Sequence, residues 1–268
     1  MVKLSEESRK KMAEAEAELL IREVEEFGVD VDLDDPCHLW SNDDFQIQEA
    51  CVRRVEEKYE GKEGGIIFYG PSNLQMWYSL EKDMLPFAAQ NHGMGGCVDE
   101  EMIRYADRMM YSFKPFAVFF QTGSNDLANG FTLEQILNNK KYMYGEFLKK
   151  MPSTKLIVMS GLPLPKRQQY WEDTVKTNAL LKEMCEKTER MYFMDASDVM
   201  LSEEGSDDMK AYDGRYFRPE YFRADGIHLN KKRSRCLDKE NERDSQNTDL
   251  IKGITTKILS GSFSLLSK

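Results

Sequence analysis

The stretch that decides the fold runs Gly64-Gly65-Ile66-Ile67-Phe68-Tyr69-Gly70-Pro71-Ser72-Asn73. Its short, unbroken apolar run between glycines predicts a strand buried on both faces. The Gly-Pro-Ser that ends it leads into LQMWYSLEKDML, residues 74–85, which reads as a helix. The same alternation continues downstream. FAAQN (87–91) predicts a weaker strand, and DEEMIRYADRMMYSF (99–113) a helix with Val98, Met102, Tyr105 and Met109 on one face. AVFFQTG (117–123) is the strongest strand pattern, followed by a helix over roughly 132–150. KLIVMSG (155–161), a helix near Tyr170–Thr188 and MYFMD (191–195) complete the series. Helices long enough to serve as crossovers imply a parallel sheet of about five strands, covered on both faces. In such a sheet the functional groups belong in the loops beyond the C-terminal strand ends.

Two amphipathic patterns precede this region. Ala13, Ala17, Leu20, Val24 and Phe27 recur at helical spacing before Gly28, and Ile47, Cys51, Val55 and Tyr59 repeat every four residues. Residues 1–62 therefore read as an N-terminal helical extension packed on the main body, and 63–230 as one α/β domain. Residues 231–268 read as a divergent tail. Within it, 231–249 carry eleven charges in nineteen positions and no apolar repeat, which predicts a solvated or disordered segment. Leu250, Ile251, Ile254 and Ile258 then suit one short helix.

Composition narrows the function classes. With 41% hydrophobic residues among 268, the chain can build a sizeable core. Against 37 basic residues stand 47 acidic ones, a net charge of −10, and no long basic stripe appears. That argues against nucleic acid and against an anionic membrane as partners. The five cysteines (Cys37, Cys51, Cys97, Cys185, Cys236) are odd in number and form no C-x-x-C pair. They suit reduced thiols in a cytoplasmic protein, neither a disulfide framework nor a zinc site. His38, His92 and His228 form no H-x-x-x-H pair, so no metal is expected. The first thirty residues hold no secretory h-region, and no apolar run is long enough to span a bilayer.

The strand ends carry the chemistry. After the first stands Ser72 in Gly70-Pro71-Ser72-Asn73, exposed by a strand-to-helix turn whose helix offers free N–H groups. After the second comes Asn91-His92-Gly93-Met94-Gly95-Gly96, whose glycines let backbone N–H groups approach a ligand. The third ends in Gly123-Ser124-Asn125-Asp126, with a carboxamide donor. Far downstream lies Asp225-Gly226-Ile227-His228, where an acid and an imidazole three residues apart can share a turn. Each piece also has a plain structural reading. Ser72 alone suits a helix cap, the glycines a tight turn, Asn125 a turn residue, and Asp225–His228 a local hydrogen bond. His92 suits packing within its loop, and His38 a structural or exposed position. As a dinucleotide fingerprint the glycine cluster fails, because it follows the second strand and lacks the full pattern. Their joint order at successive strand ends is the stronger signal.

That order resembles the SGNH, or GDSL-like, hydrolases, over roughly residues 64–230. FYGPSN looks like the family's first block and NHGMGG its second; GSND looks like the third and DGIH the last. The resemblance implies a flavodoxin-like three-layer α/β/α sandwich and a carboxylic ester hydrolase without metal or organic cofactor. It implies a catalytic triad of Ser72, His228 and Asp225, and oxyanion donors from Ser72, Gly96 and Asn125. It further implies a small-molecule ester as substrate, a short acyl ester such as an O-acetyl group, with a sugar as one carrier. Two departures stand out: Pro71 replaces the family's Asp beside the nucleophile, and the charged tail replaces a closing amphipathic helix. The alternatives are a thioesterase or lysophospholipase on the same scaffold, a flavodoxin-like module cradling phosphate at Gly70–Asn73, and a catalytically inactive relative.

Overall fold

The computed structural model describes residues 45–229 other than 206, 219, 220 and 224, together with residue 256. The helix expected over Ala13–Phe27, His38 and the charged stretch 231–249 lie outside the described residues.

Five short strands form one sheet: β1 (Ile66–Gly70), β2 (Ala89–Gly93), β3 (Ala117–Phe120), β4 (Lys155–Met159) and β5 (Met191–Met194). Their order is β2-β1-β3-β4-β5, and every pairing is parallel. Every residue of β1 and β3 is buried, as their unbroken apolar sequences require. Successive side chains face opposite layers. Ile67, Tyr69, Val118 and Phe120 meet α1 (Phe45–Lys58), α4 (Asp99–Met109), α6 (Leu133–Lys150) and α7 (Trp171–Glu186). Ile66, Phe68, Ala117 and Phe119 pack instead against the one-turn helices α2 (Ser72–Gln75) and α3 (Leu80–Asp83) and the segment Ala196–Leu229. The result is the three-layer α/β/α sandwich with flavodoxin-like strand order. Burying an Ile or Phe side chain fully is worth about 1.5–3 kcal/mol, so these two layers dominate the stability of the sheet.

The long helices form where the sequence predicts them. In α6, Thr132 caps the N-terminus by accepting from the Gln135 N–H, and Gln135 reaches back to the Thr132 N–H. In α4, Met102, Tyr105 and Met109 are buried as the periodicity implies.

Two elements differ. Residues 74–85 form two single turns with a break at Met76–Ser79, not one helix. The Asn91 carboxamide donates to the carbonyls of Leu74 (2.8 Å), Gln75 (3.3 Å) and Trp77 (3.1 Å), satisfying oxygens that a continuing helix would need. A helix of one turn also supplies less N-terminal dipole than the expected long one. The second strand is Ala89–Gly93, not residues 87–91, so Asn91 and His92 lie within the sheet. The connections from β1 and β3 leave toward opposite edges of the sheet, so the switch point of the topology lies between these two strands.

Candidate active site

Ser72 lies two residues beyond β1, at the start of α2. Pro71 is extended (φ −78°, ψ −163°), and its carbonyl accepts from the N–H groups of Leu74 (2.9 Å) and Gln75 (3.1 Å). Pro71 thus closes the turn. Gly70 is needed for close approach: a Cβ there would stand 2.6 Å from the Gln121 carbonyl oxygen. Ser72 does not cap its helix. Its hydroxyl, only 6% exposed as a residue, lies 3.0 Å from Nε2 of His228.

The His228 ring is held from its other side. Nδ1 is 2.6 Å from Asp225 Oδ2, while Asp225 Oδ1 accepts from the N–H groups of Ile227 (2.7 Å) and His228 (2.9 Å). Burial alone would raise the Asp225 pKa. The hydrogen bond and charge of His228, with the two N–H donors, bring it down to about 2. A carboxylate facing Nδ1 selects the tautomer with Nδ1–H, which leaves the Nε2 lone pair facing the Ser72 hydroxyl. The turn is strapped in place by Arg223 N–H to the His228 carbonyl (2.8 Å) and by Leu229 N–H to Asn73 Oδ1 (3.1 Å).

Gly96 sits in the loop after β2 with φ +72°, a left-handed conformation that favours glycine, and open space where a side chain would be. Asn125 belongs to the first turn of α5 (Ser124–Ala128). Its Nδ2 donates to the Cys97 carbonyl at 2.9 Å, which joins the two loops and leaves the second Nδ2 hydrogen available. Arg167 Nη1 donates to Asn125 Oδ1 (2.9 Å) and Ser124 Oγ (2.6 Å), fixing which way the carboxamide points. Among the described residues, neither the Ser72 N–H nor the Gly96 N–H meets an acceptor.

Beneath these loops lies a buried charge cluster. Lys140 Nζ is 3.2 Å from Asp99 Oδ1 and donates to Thr122 Oγ1 at 2.8 Å; the Thr122 hydroxyl also contacts Asp99 Oδ1. Asp126 Oδ1 accepts from the Asp99 N–H at 2.9 Å, a second tie between the Gly96 and Asn125 loops. Burial and the charge of Asp99 push the Asp126 pKa up to about 6, against the pull of Lys140.

Of the sequence candidates, Ser72, His228 and Asp225 are brought into one chain of hydrogen bonds. Gly96 and Asn125 stand on adjacent loops linked through Cys97. His92 is buried in β2 between the rings of Tyr59 and Phe113 (centroids 5.2 and 4.6 Å away). Its Nδ1 is 2.6 Å from the Met109 carbonyl and Nε2 is 3.0 Å from Gln90 Oε1, and burial lowers its pKa to about 3. Sequence reasoning missed Asn73 and Arg167. Asn73 adjoins Ser72, but Arg167 reaches Asn125 across 42 positions and carries no local signal. Among the described residues no group of His, Cys, Asp and Glu side chains is arranged to hold a metal ion.

No family model matches the sequence, and no curated protein matches it either. A Streptococcus pneumoniae protein, described provisionally as a platelet activating factor, superposes with TM-score 0.61 at 19% identity, over 76% of this chain and 91% of that one. The chain shares its fold. A provisionally assigned acylhydrolase from Bacteroides fragilis superposes with TM-score 0.58 at 17% identity, over 82% of this chain and 99% of that one. A carbohydrate esterase family 3 protein from Talaromyces cellulolyticus gives 0.52 at 16% identity, over 75% and 100%. The fold implied by the four sequence blocks is thus the fold observed.

Proposed function

We propose that this protein is an SGNH-type serine esterase that hydrolyses short acyl esters, O-acetyl groups in particular, by way of Ser72, His228 and Asp225. One observation carries the reading: the unbroken series Ser72 Oγ–His228 Nε2 (3.0 Å) and His228 Nδ1–Asp225 Oδ2 (2.6 Å) beside the end of β1. His228 takes the hydroxyl proton as Ser72 Oγ attacks the ester carbonyl, and Asp225 stabilises the imidazolium. The oxyanion is received by the N–H groups of Ser72 and Gly96 and by Asn125 Nδ2, all three lacking another acceptor for at least one hydrogen. His228 then protonates the leaving alcohol, and water hydrolyses the acyl-enzyme by the same route. The names of the Bacteroides fragilis and Talaromyces cellulolyticus proteins, an acylhydrolase and a carbohydrate esterase, support ester chemistry and a sugar-linked substrate. Among the described residues no helix is long and apolar enough to cross a membrane.

The test is covalent. A fluorophosphonate reacts fast only with a serine that has a base and oxyanion donors. Wild type takes one label at Ser72, Ser72→Ala takes none, and His228→Ala labels far more slowly. Failure of the folded wild type to label would overturn the reading. A series of 4-nitrophenyl esters then sets the acyl length: rates that rise with chain length would point to a thioesterase or lysophospholipase instead.

A further inference from the structure

Arg167 belongs to the 3₁₀ segment Pro165–Tyr170 beyond β4, and the Lys166 N–H donates to the Gly226 carbonyl at 3.0 Å. The segment is therefore docked on the turn that carries Asp225 and His228. From there Arg167 Nη1 reaches Ser124 Oγ and Asn125 Oδ1. Both acceptors are neutral. Some cations in this protein are paired with carboxylates, Arg108 with Glu49 and Glu56, Arg215 with Asp213, and buried Lys140 with Asp99, whereas the partly buried Arg190 gives both Nη groups to backbone carbonyls. Among the described residues Arg167 forms no ion pair, and its Nε and Nη2 have no acceptor. Asp225 is close enough to act on it electrostatically, but both Asp225 oxygens are already committed to His228 and Ile227.

Burial works against this cation, lowering its pKa, with Tyr170 and Asp225 pulling the other way. A half-buried guanidinium whose Nε and Nη2 donors meet no acceptor is left short of hydrogen bonds, because removing a charge from water is costly unless a partner replaces the solvent. The free edge also has a definite shape. With Nη1 engaged, the Nε–H and an Nη2–H remain side by side, the pair of donors that matches the two oxygens of a carboxylate.

We propose that Arg167 is a specificity-determining residue whose free Nε–Nη2 edge binds a carboxylate on the ester substrate, so that the site prefers carboxylate-bearing esters over neutral ones. The inference rests on the ester-hydrolase reading for the identity of the ligand, but binding tests it separately. The probes are 4-acetoxybenzoate and its methyl ester, which present the same acetyl group with and without the charge. In the Ser72→Ala variant, NMR titration should find 4-acetoxybenzoate bound about tenfold to a hundredfold tighter, the worth of a charge-assisted bidentate pair. Adding Arg167→Met should abolish that difference, while Arg167→Lys should retain part of it. Raising the ionic strength should weaken only the anion, a readout that needs no further variant if Arg167→Met fails to fold.

Turnover gives the second readout. Arg167→Met should slow hydrolysis of both esters, because Asn125 loses its orienting partner. The ratio of kcat/KM for the anionic to the neutral ester should nevertheless fall at least about tenfold, chiefly through KM. Equal affinity of the two probes in Ser72→Ala, or a preference that survives Arg167→Met, would overturn the proposal. If Ser72→Ala discriminates while wild type hydrolyses neither ester, the carboxylate site stands and the esterase reading falls.

Discussion

In an Asp225→Asn variant the side chain keeps its shape but has one oxygen for three N–H donors. Two of those donors, the backbone N–H groups of Ile227 and His228 at 2.7 and 2.9 Å, belong to the turn itself. The third is the ring Nδ1–H of His228, 2.6 Å from the other oxygen. If the remaining oxygen stays with the backbone pair, the amide NH₂ faces Nδ1, which must then accept. The ring is driven to the Nε2–H tautomer, and that hydrogen points at Ser72 Oγ 3.0 Å away. The base has lost its lone pair. The same exchange in a serine-protease triad lowers kcat by about 10⁴, equivalent to roughly 5.4 kcal/mol of barrier. Asp225→Ala leaves the tautomer free to choose and should lose no more than this. Initial rates with 4-nitrophenyl acetate would measure the loss, with far-ultraviolet circular dichroism to check the fold. Asp225→Asn activity within tenfold of wild type would refute the assigned roles of Asp225 and His228.

Asn125→Ala should lower kcat by about 10²–10³ with KM little changed, since the lost donor acts on the oxyanion and not on the ground state; a purely KM effect would argue against that role. Lys140→Met leaves Asp99 buried at 0% exposure without its cation. It should therefore cost about 3–5 kcal/mol, read from the denaturant midpoint at unchanged m-value. His92, with its pKa lowered to about 3, stays neutral in the fold while the unfolded chain takes up a proton. Its contribution is complete above the unfolded value and is lost on acidification, by about 1.4 kcal/mol per pH unit between ~6.5 and its folded value. Asp126, raised to about 6, acts in the opposite sense and loses its contribution as pH rises through that value. The measurement is therefore the difference in pH slope between wild type and His92→Phe, and parallel slopes would contradict the burial argument.

Much of the α/β core was legible because a strand buried on both faces needs an unbroken apolar run, and β1, β3 and β4 each have one. Helices α6 and α7 lie within about two residues of the expected 132–150 and Tyr170–Thr188, and in α6 the start is fixed by a local signal, the Thr132–Gln135 cap. The second strand was misplaced by two residues because AQNHG is polar in sequence. Its polar side chains find partners that the local sequence does not announce: Asn91 the carbonyls of Leu74, Gln75 and Trp77, and His92 the Met109 carbonyl and the neighbouring Gln90. The broken helix after Ser72 has the same origin, since a carboxamide sixteen residues away supplies its terminal hydrogen bonds.

By itself the sequence determined the alternation of strand and helix and the order in which Ser72, Gly96, Asn125 and the Asp225–His228 pair follow along the chain. Apolar periods and turn residues act within a few positions of themselves, so these could be read directly. Only the tertiary structure decided that Ser72 meets His228 across 156 positions, that His92 is a packed core residue, and that Arg167 stands over Asn125. Those choices depend on which loops the parallel crossovers carry to the same end of the sheet and on which polar groups burial leaves without water. Both are properties of the assembled layers, and no local stretch of the chain encodes them.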